Sequence, residues 1–238
     1  MKDLLIFNDL SFLNWQQFFA VYRESSSENA AEWYPDLPEE EALGKYEAGF
    51  RDYLLGDFQA EQGILLILQR DGLYRSALRL LPQGQNSFLL EALETHPDCR
   101  EMGYGKRILH EMMLYLHRTS PNCTVRSYVS PKNKKSIMTH RAAGFAGAKT
   151  EDGDLCMTWS DEQLSRIEKQ EACLNRILSA EKPSVADLCQ LAAYYDGPLW
   201  RIDFESDEAG QIPDQIKRGI LSEDAIYDVL TTYEEMLR

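Results

Sequence analysis

The most informative segment of this 238-residue chain covers residues 90–106 and reads Leu90-Glu91-Ala92-Leu93-Glu94-Thr95-His96-Pro97-Asp98-Cys99-Arg100-Glu101-Met102-Gly103-Tyr104-Gly105-Lys106. Its first half is an apolar, strand-like run, and its second half is a turn that leads into an apolar pattern of helical spacing. The start of a helix has unpaired N–H groups and a partial positive charge, so it is a natural site for an anion. Gly103 and Gly105 lack the Cβ atoms that would keep a phosphate group away from the backbone. Arg100 and Lys106 add positive charge, and we therefore expect an anion-binding turn here.

The charge distribution favours a small anionic ligand over nucleic acid. The chain has 39 acidic and 25 basic residues, which gives a formal net charge of −14. Residues 97–149 differ from the rest, with ten basic and three acidic side chains. A nucleic-acid-binding protein needs an extended basic face. One basic segment in an acidic protein instead indicates a specific small anion, and no nucleic-acid partner is expected.

Outward from this segment, the hydrophobic pattern predicts an α+β (mixed α/β) fold. The predicted strands are 63–69, 74–81, 87–95, 125–129, 145–149 and 155–159, and the predicted helices are 10–22, 39–55, 103–118, 133–143, 161–179, 184–195 and 223–237. The serine-rich residues 25–29 are predicted to break the first helix. After residue 159 the pattern is helical only. We therefore predict one domain over residues 1–159 and a small, acidic, all-α domain over residues 160–238.

Cysteine usage and hydropathy indicate where the protein acts. The five cysteines include no CxxC pair, so a disulfide framework or a zinc site is not expected, and a reducing compartment fits best. No apolar run approaches the about 20 residues that a membrane span needs. The first residues do not have the pattern of a signal peptide. We expect a cytoplasmic protein with no metal and no membrane partner.

Two spaced motifs resemble the signatures of the GNAT superfamily of acyl-CoA-dependent N-acyltransferases. The first is residues 90–97 followed by Arg100-x-x-Gly103-x-Gly105. The second is Asn133-x-x-Ser136-x-x-x-His140-x-x-x-Gly144-Phe145, which is similar to that superfamily's N-x-x-A-x-x-x-Y-x-x-x-G-F. The order of predicted elements over residues 1–159 also agrees. The resemblance implies a central, mostly antiparallel sheet in which two parallel strands, here 87–95 and 125–129, splay apart.

The resemblance also implies the ligand and its binding residues. Acetyl-CoA would be the acyl donor and would lie in the notch between the splayed strands. Its pantetheine amides would pair with main-chain groups of Leu93 and Thr95, and Asn133 would bind the same arm. Its pyrophosphate would accept hydrogen bonds from main-chain N–H groups of residues 101–106. The complete expected set is Leu93, Thr95, Arg100, Glu101, Met102, Gly103, Tyr104, Gly105, Lys106 and Asn133.

The implied reaction is direct attack of a primary amine on the thioester, which needs a base and a proton for the leaving thiolate. Glu91 stands where many relatives have a catalytic Glu, and the alternative is an ordinary polar residue on a strand face. Glu94, expected on the opposite face, is a second candidate base or a sign that the pocket differs. His140 stands where many relatives have a Tyr that protonates the thiolate. Either His140 supplies this proton, or it packs against its helix and the acid is absent.

The acceptor is the least defined part of the predicted function. Residues 24–61 hold eleven acidic and two basic side chains, and the corresponding region forms the acceptor pocket in the superfamily. This charge favours a cationic acceptor, such as a small amine or a basic peptide, and the alternative is a solvated acidic face. The alternative function is a non-catalytic acyl-CoA-binding or protein-interaction module on the same fold. The oligomeric state stays open, with a homodimer as one option.

The C-terminal part resembles a small bacterial domain family of unknown function. The residues that support this resemblance are Tyr194, Tyr195, Trp200, Asp203 and 219–228. No activity follows from it. We expect the three aromatic side chains to belong to the core of this part rather than to a ligand site.

Overall fold

A computed structural model of the chain describes residues 3–237. Within that range, seven strands form one sheet in the order β1-β2-β3-β4-β5-β7-β6. The strands are β1 (Leu4–Phe7), β2 (Ile64–Arg70), β3 (Leu73–Pro82), β4 (Ser87–Thr95), β5 (Thr124–Val129), β6 (Ala146–Lys149) and β7 (Leu155–Ser160). Strands β4 and β5 run parallel, whereas the other neighbouring pairs run antiparallel. The predicted mixed α/β class and its parallel strand pair are confirmed.

Helices cover both faces of the sheet and fill the C-terminal part. They are α1 (Trp15–Val21), α2 (Arg23–Trp33), α3 (Glu39–Tyr53), α4 (Tyr104–Thr119), α5 (Lys134–Ala142), α6 (Glu162–Ser179), α7 (Val185–Tyr195), α8 (Pro198–Glu208), α9 (Glu223–Thr232) and α10 (Glu234–Leu237). Helix α8 lies between the predicted helices 184–195 and 223–237 and was not predicted. Proline is well suited to the first turn of a helix, since its fixed φ fits there and its missing N–H is not needed.

The prediction that residues 25–29 break the first helix is wrong. After a short irregularity at Tyr22 the chain continues as α2, and the serines lie inside this helix. The hydroxyl of Ser25 donates to the carbonyl of Tyr22, and that of Ser27 donates to the carbonyl of Arg23. The serine side chains are thus satisfied by the preceding turn of backbone and do not end the helix.

The sheet separates two cores. Leu66 and Leu68 of β2 face α4 in a buried cluster that we call the α4 core. The alternate residues Leu65 and Ile67 face Phe18 of α1 in a second buried cluster, the α1 core. This division follows from the two-residue period of a strand, which sends successive side chains to opposite faces.

The C-terminal helices continue the α4 core. Leu164 and Ile167 of α6 are buried in the same cluster as Leu109 and Met112 of α4. The division at residue 160 into two domains stays a prediction. In the described part of the chain, no helix combines the length and apolar content that crossing a membrane requires, and no three metal-ligating side chains form a cluster.

Candidate functional site

A notch opens in the middle of the sheet, where β4 and β5 separate. The two strands pair over three positions, from Ser87 with Thr124 to Leu89 with Arg126. Strand β4 then continues to Thr95, and none of the described residues pairs with it on the β5 side beyond Leu89. This geometry leaves one edge of β4 open at the end that leads into α4.

Backbone groups of Leu93 and Thr95 point into this notch. The N–H of His96 donates to the carbonyl of Arg75 on the β3 side, at 2.9 Å. Backbone groups alternate in direction along a strand, so Glu94 also turns its backbone toward β3. Leu93 and Thr95 therefore present their N–H and C=O groups to the open side, as expected for hydrogen bonding to an extended ligand.

The turn before α4 leaves backbone N–H groups free. Gly103 has a φ of +81°, in the left-handed region that favours glycine. The N–H of Arg107 makes the first helical hydrogen bond, to the carbonyl of Gly103. The N–H groups of residues 104–106 consequently have no partner one turn earlier in the helix. A Cβ at Gly103 would meet no described atom within 4 Å, so the space in front of the turn is open.

Gly105 lies at a close contact between helices and strand. A Cβ at this position would lie 3.1 Å from Cγ2 of Thr139 in α5 and 3.6 Å from Oγ1 of Thr95. The missing Cβ therefore lets α4 approach α5 and β4 closely. The expected clearance for a bound phosphate at Gly105 stays a prediction.

The basic side chains near the turn are not equally available. Arg100 forms an ion pair with Glu24 of α2, so its charge is partly neutralised. Lys135 lies 3.7 Å from the carboxylate of Glu101 in an exposed pair that adds little stability. Lys106 forms no ion pair with any carboxylate of residues 3–237, which leaves it as the most available cation at this turn.

Strand β4 contains a bulge at Glu91. Arg79 of β3 pairs with Ala92, whereas the next residue of β3, Leu80, pairs with Leu90. Glu91 is therefore an extra residue that β3 does not match. A bulge of this kind shifts the alternation of the side chains that follow it.

The bulge places Glu91 and Glu94 on the same face of the sheet. Leu90 lies in the α4 core and Ala92 packs against the α1 core, so Glu91 and Ala92 both face the α1 side. Regular alternation then returns Glu94 to that side as well. The expectation that Glu94 points to the opposite face is wrong, because it assumed an unbroken strand.

Glu91 is held by two side chains that sequence reasoning did not single out. Its carboxylate accepts a hydrogen bond of 2.7 Å from the hydroxyl of Tyr53 and lies 3.2 Å from Nε of Arg79. The guanidinium of Arg79 also stacks over the ring of Phe50, at 4.6 Å from its centroid. A basic residue inside the apolar run 74–81, Arg79, was the available signal for this ion pair.

Glu94 lies in a more buried environment next to α2. Burial raises the pKa of Glu94, while a hydrogen bond from Ser25 and the charge of Arg100 act in the opposite direction. Tyr22 packs nearby, and its buried hydroxyl has no partner among the described residues. Burial is also the main reason that the pKa of Tyr22 is raised. The carboxylate of Glu94 thus has a raised pKa and lies on the same face of the sheet as the unpartnered hydroxyl of Tyr22.

His140 is buried within α5 and against Phe145. Its Nδ1 lies 2.8 Å from the carbonyl oxygen of Ser136, and its ring packs edge to face on Phe145. A carbonyl only accepts hydrogen bonds, so Nδ1 holds the proton of the neutral ring. Burial lowers the pKa of His140, so the ring stays neutral near pH 7 and its unpartnered Nε2 is an acceptor. Of the two alternatives for His140, this arrangement favours packing.

Asn133 caps α5. Its side-chain oxygen accepts a hydrogen bond of 3.0 Å from the N–H of Ser136, which satisfies one of the free N–H groups at the start of this helix. The side-chain NH₂ group remains as the donor for a ligand in the notch. Its expected role toward the pantetheine arm stays a prediction.

Comparisons with known proteins found similarity for both parts of the chain. The solved structure of a PaiA N-acetyltransferase from Thermoplasma acidophilum in complex with coenzyme A is 20% identical and has a TM-score of 0.51, with 66% of this chain and 98% of that chain covered. The N-terminal 66% of this chain therefore has the fold of the GNAT N-acetyltransferases. Residues 160–238 match the family model of a domain of unknown function, DUF4298. No curated protein matched the sequence.

Two further solved structures resemble the GNAT-fold part. The ribosomal-protein-S18-alanine N-acetyltransferase of Escherichia coli is 17% identical, with a TM-score of 0.46 and coverage of 66% of this chain and 93% of that chain. The ribosomal-protein-alanine N-acetyltransferase of Brucella melitensis is 18% identical, with a TM-score of 0.47 and coverage of 66% and 99%. In the GNAT-fold part of this chain, the two sequence motifs lie in β4, the turn before α4, and α5, around the notch.

Proposed function

We propose that the protein is an acetyl-CoA-dependent N-acetyltransferase that acts on a primary amine of a cationic acceptor. The observation that supports this most directly is the open edge of β4 beyond Leu89, which leads without a break into a turn with free N–H groups. An extended amide-containing arm and a diphosphate fit these two features in the same order. The PaiA enzyme that shares the fold was crystallised with coenzyme A.

The residues present fit the acyl donor. The open space in front of Gly103 accommodates a diphosphate close to the backbone, and the free N–H groups of residues 104–106 can donate to it. The outward-facing backbone of Leu93 and Thr95 suits the two amides of a pantetheine arm. When bound, the donor supplies a thioester carbonyl carbon, to which the amine nitrogen bonds as the carbon–sulfur bond breaks.

Glu94 is the base that the environment favours. An ammonium group must lose a proton before it attacks, and a carboxylate with a raised pKa accepts that proton more readily near neutral pH. Glu91 is engaged by Tyr53 and Arg79, so we assign it to fixing the shape of the pocket and the position of Arg79. An N–H of the open β4 edge can stabilise the oxyanion. The thiolate leaves without a dedicated acid, because thiols are already fair leaving groups near neutral pH.

The acceptor is proposed to be a cation because α2 and α3, which lie on the same face of the sheet as Glu94, carry many acidic side chains. Helix α2 presents exposed Glu28 and Glu32, and α3 begins with three exposed acidic residues, Glu39, Glu40 and Glu41. A polyamine, an aminoglycoside or a basic peptide amine would be attracted to this surface. A neutral amine would gain nothing from it.

Gly103 provides the test of the proposed function. We expect Gly103→Asp to abolish acetyl-CoA binding measured by calorimetry, because the added carboxylate repels the diphosphate. The matched control is Gly103→Asn, which has a similar backbone cost at positive φ but no charge, and it should keep most of the binding. Circular dichroism checks that both variants fold. Unchanged affinity in Gly103→Asp would contradict the proposal, as would no acetyl-CoA-dependent mass gain in any member of a panel of basic amines.

One observation favours a second candidate function, a non-catalytic acyl-CoA-binding module. His140 is arranged as an acceptor, and Glu91 is occupied by an ion pair, so neither of these two candidate residues is free for catalysis. The two functions differ in release of CoA thiol. Binding of acetyl-CoA without thiol release, in the presence of amines, would favour the binding module.

A further inference from the structure

Two ion pairs join the start of α2 to the turn before α4. Glu24 of α2 pairs with Arg100 of the turn, and the guanidinium of Arg23 lies 3.6 Å from the carboxylate of Asp98. The proposed function gives these two regions different tasks. The turn is assigned to the diphosphate of the donor, whereas α2 lies on the side of Glu94 and the acceptor. A ligand that breaks the Glu24–Arg100 pair therefore affects both regions.

The backbone next to Arg100 is held in place, but the ion pair itself is open to solvent. Cys99 is only 4% exposed, its N–H donates to the carbonyl of His96 at 2.8 Å, and its Sγ accepts a hydrogen bond of 3.4 Å from Arg75. The side chains of Arg100 and Glu24, by contrast, are 41% and 46% exposed. Ion pairs with this exposure are weak. Arg100 can therefore exchange Glu24 for another anion without a rearrangement of the backbone.

Glu24 is also close to the residues assigned to the acceptor. Burial raises the pKa of Glu94, whereas a hydrogen bond from Ser25, the residue after Glu24, and the charge of Arg100 act in the opposite direction. Glu24, Arg100 and Glu94 thus belong to one electrostatic group at the start of α2. If Arg100 turned to another anion, this group would gain an exposed, unpaired carboxylate at Glu24.

A diphosphate is a stronger partner for Arg100 than a carboxylate is. It carries more negative charge than Glu24, and its oxygens match the planar fork of a guanidinium. Arg100 lies three residues before Gly103, at the turn whose free N–H groups are assigned to the diphosphate. A donor bound at this turn therefore competes with Glu24 for Arg100.

We propose that Glu24 is a binding residue for the cationic acceptor and becomes available when the donor diphosphate takes Arg100. This inference rests on the proposed function, because it requires a donor at the turn and a cationic acceptor beside α2. Each ligand removes the competing partner of the residue that the other ligand needs. Donor and acceptor therefore strengthen each other's binding, and the coupling is equal in both directions.

Calorimetry with CoA at low ionic strength tests the donor half of the proposal. Glu24→Gln should tighten CoA binding by about two- to fivefold, because Arg100 loses its competing carboxylate. Arg100→Gln should weaken CoA binding by roughly tenfold. When Arg100→Gln is already present, adding Glu24→Gln should have no further effect beyond that of the control.

Asp98→Asn is the matched control. It removes one exposed negative charge from the same contact between α2 and the turn, but it leaves Arg100 paired with Glu24. We expect its CoA affinity to stay closer to that of the unmodified protein than the affinity of Glu24→Gln does. Because Glu24, Asp98 and Arg100 are all exposed, these variants should fold, which circular dichroism checks.

Spermidine and the peptide trilysine are the cationic probes for the acceptor half. Their affinity is measured with and without saturating CoA. The gain in probe affinity that CoA produces should be about two- to fivefold larger in the unmodified protein and in Asp98→Asn than in Glu24→Gln. Direct attraction between a probe and the bound phosphates is present in all three proteins, so it cancels in this comparison.

The outcomes separate this proposal from the proposed function. If Glu24→Gln changes CoA affinity no more than Asp98→Asn does, Glu24 does not compete for Arg100 and the proposal is overturned. It is also overturned if the CoA-dependent gain for both probes is the same in the unmodified protein and in Glu24→Gln. In either case, an acetyl-CoA-dependent mass gain of a basic amine would leave the proposed function standing. If the unmodified protein does not bind CoA, the proposed function itself fails.

Discussion

Glu91 and Glu94 lie on the same face of β4 but in different surroundings. Glu91 has a hydrogen bond from Tyr53 and an ion pair with Arg79, whereas Glu94 is desolvated and has a raised pKa. A carboxylate that already holds two partners is less free to contact a substrate amine, and one that is desolvated accepts a proton more easily. The division of roles between them therefore follows from their contacts rather than from their positions in the motif.

We predict that Glu94→Gln lowers the maximal rate roughly 10²- to 10⁴-fold, the usual contribution of a general base. The rate of the unmodified enzyme should rise with pH through the pKa of Glu94, because the base must be ionised. Burial, the largest cause, and Glu28 raise this pKa, while Ser25, Arg100 and Arg79 lower it, and the net result is above the ordinary value of a glutamate. The rise of the maximal rate with pH should therefore occur at a higher pH than the titration of an exposed glutamate. This pH dependence should be lost in Glu94→Gln.

Two comparisons make this prediction specific. Glu91→Gln should have a smaller effect on the rate, and the rate should still rise with pH, because the role of Glu91 is positional. Glu151→Gln, in the exposed turn between β6 and β7, should change nothing. If the rate still rises with pH in Glu94→Gln but not in Glu91→Gln, then Glu91 and not Glu94 is the base.

Single residues also show which parts of the site could be predicted from the sequence. The turn at Gly103 could be predicted from the sequence, because a left-handed turn before a helix favours glycine. The bulge at Glu91 was not, because a bulge depends on how β3 and β4 match across the ladder. The pairing of Arg79 with Glu91 depends on the same match, so neither its geometry nor the shared face of Glu94 could be derived from spacing alone.

Among the elements, six of the seven strands were predicted and the edge strand β1 was not. Strand β4 was predicted with the bounds that the structure has, because its apolar residues are flanked by clear turn residues. Strand β1 has four residues at the edge of the sheet and pairs only with β2 among the described strands. Four residues are too few to show the alternation of apolar and polar side chains that predicts a strand. Strand β1 is defined by its pairing with β2 and not by its own sequence pattern.

The connection from α3 to β2 depends on a close contact between Gly63 and Phe58. A Cβ at Gly63 would lie 2.5 Å from the ring of Phe58, which is buried in the α1 core. We expect Gly63→Ala to lower the free energy of unfolding by about 1–3 kcal/mol, because the ring cannot move without disturbing its neighbours. Urea denaturation measures this change.

Gly49 gives the matched control for this prediction. It lies inside α3, and a Cβ there would meet nothing within 4 Å. We expect Gly49→Ala to raise the free energy of unfolding by about 0.5–1 kcal/mol, since alanine favours the helix. A stabilising Gly63→Ala would show that the Phe58 ring moves aside easily and would contradict the packing argument.

At the scale of the whole molecule, α4 is buried on two sides. Leu116 and Leu114 are both buried, although they lie roughly 200° apart around the helix. One side packs on the sheet, and the C-terminal helices belong to the same buried cluster. We predict that a chain ending at residue 159 loses its cooperative thermal transition or aggregates, because it exposes this second side. A truncated chain with an unchanged transition would instead support two independent domains.

A buried charge cluster joins the two parts at the end of β7. Asp161 is fully buried, and its carboxylate accepts from the N–H of Asn122 and from Ser165 and lies 2.6 Å from Nδ1 of His117. The other ring nitrogen of His117 lies 2.9 Å from Glu168. Burial lowers the pKa of His117, but the two carboxylates outweigh it, and the net pKa is raised.

This cluster predicts a pH dependence of stability. The contribution of His117 should be fully present below the pKa of an unfolded histidine, about 6.5, and should be lost as the pH rises through its raised folded pKa. His117→Gln, which cannot take up a proton, should therefore differ most from the unmodified protein at pH 6 and progressively less toward pH 9. Free energies of unfolding at a series of pH values measure this difference, and a constant gap would show that the charge of His117 does not stabilise the junction.

The short parallel pairing of β4 with β5 has a consequence for the exchange of amide protons with solvent. The N–H groups of Leu93 and Thr95 face the notch rather than β3, so in the free protein they should exchange with deuterium faster than those of Ala92 and Glu94 in the same strand. A molecule that fills the notch would equalise the two sets. Deuterium uptake along this single strand would then report occupancy of the notch whether or not any chemistry follows.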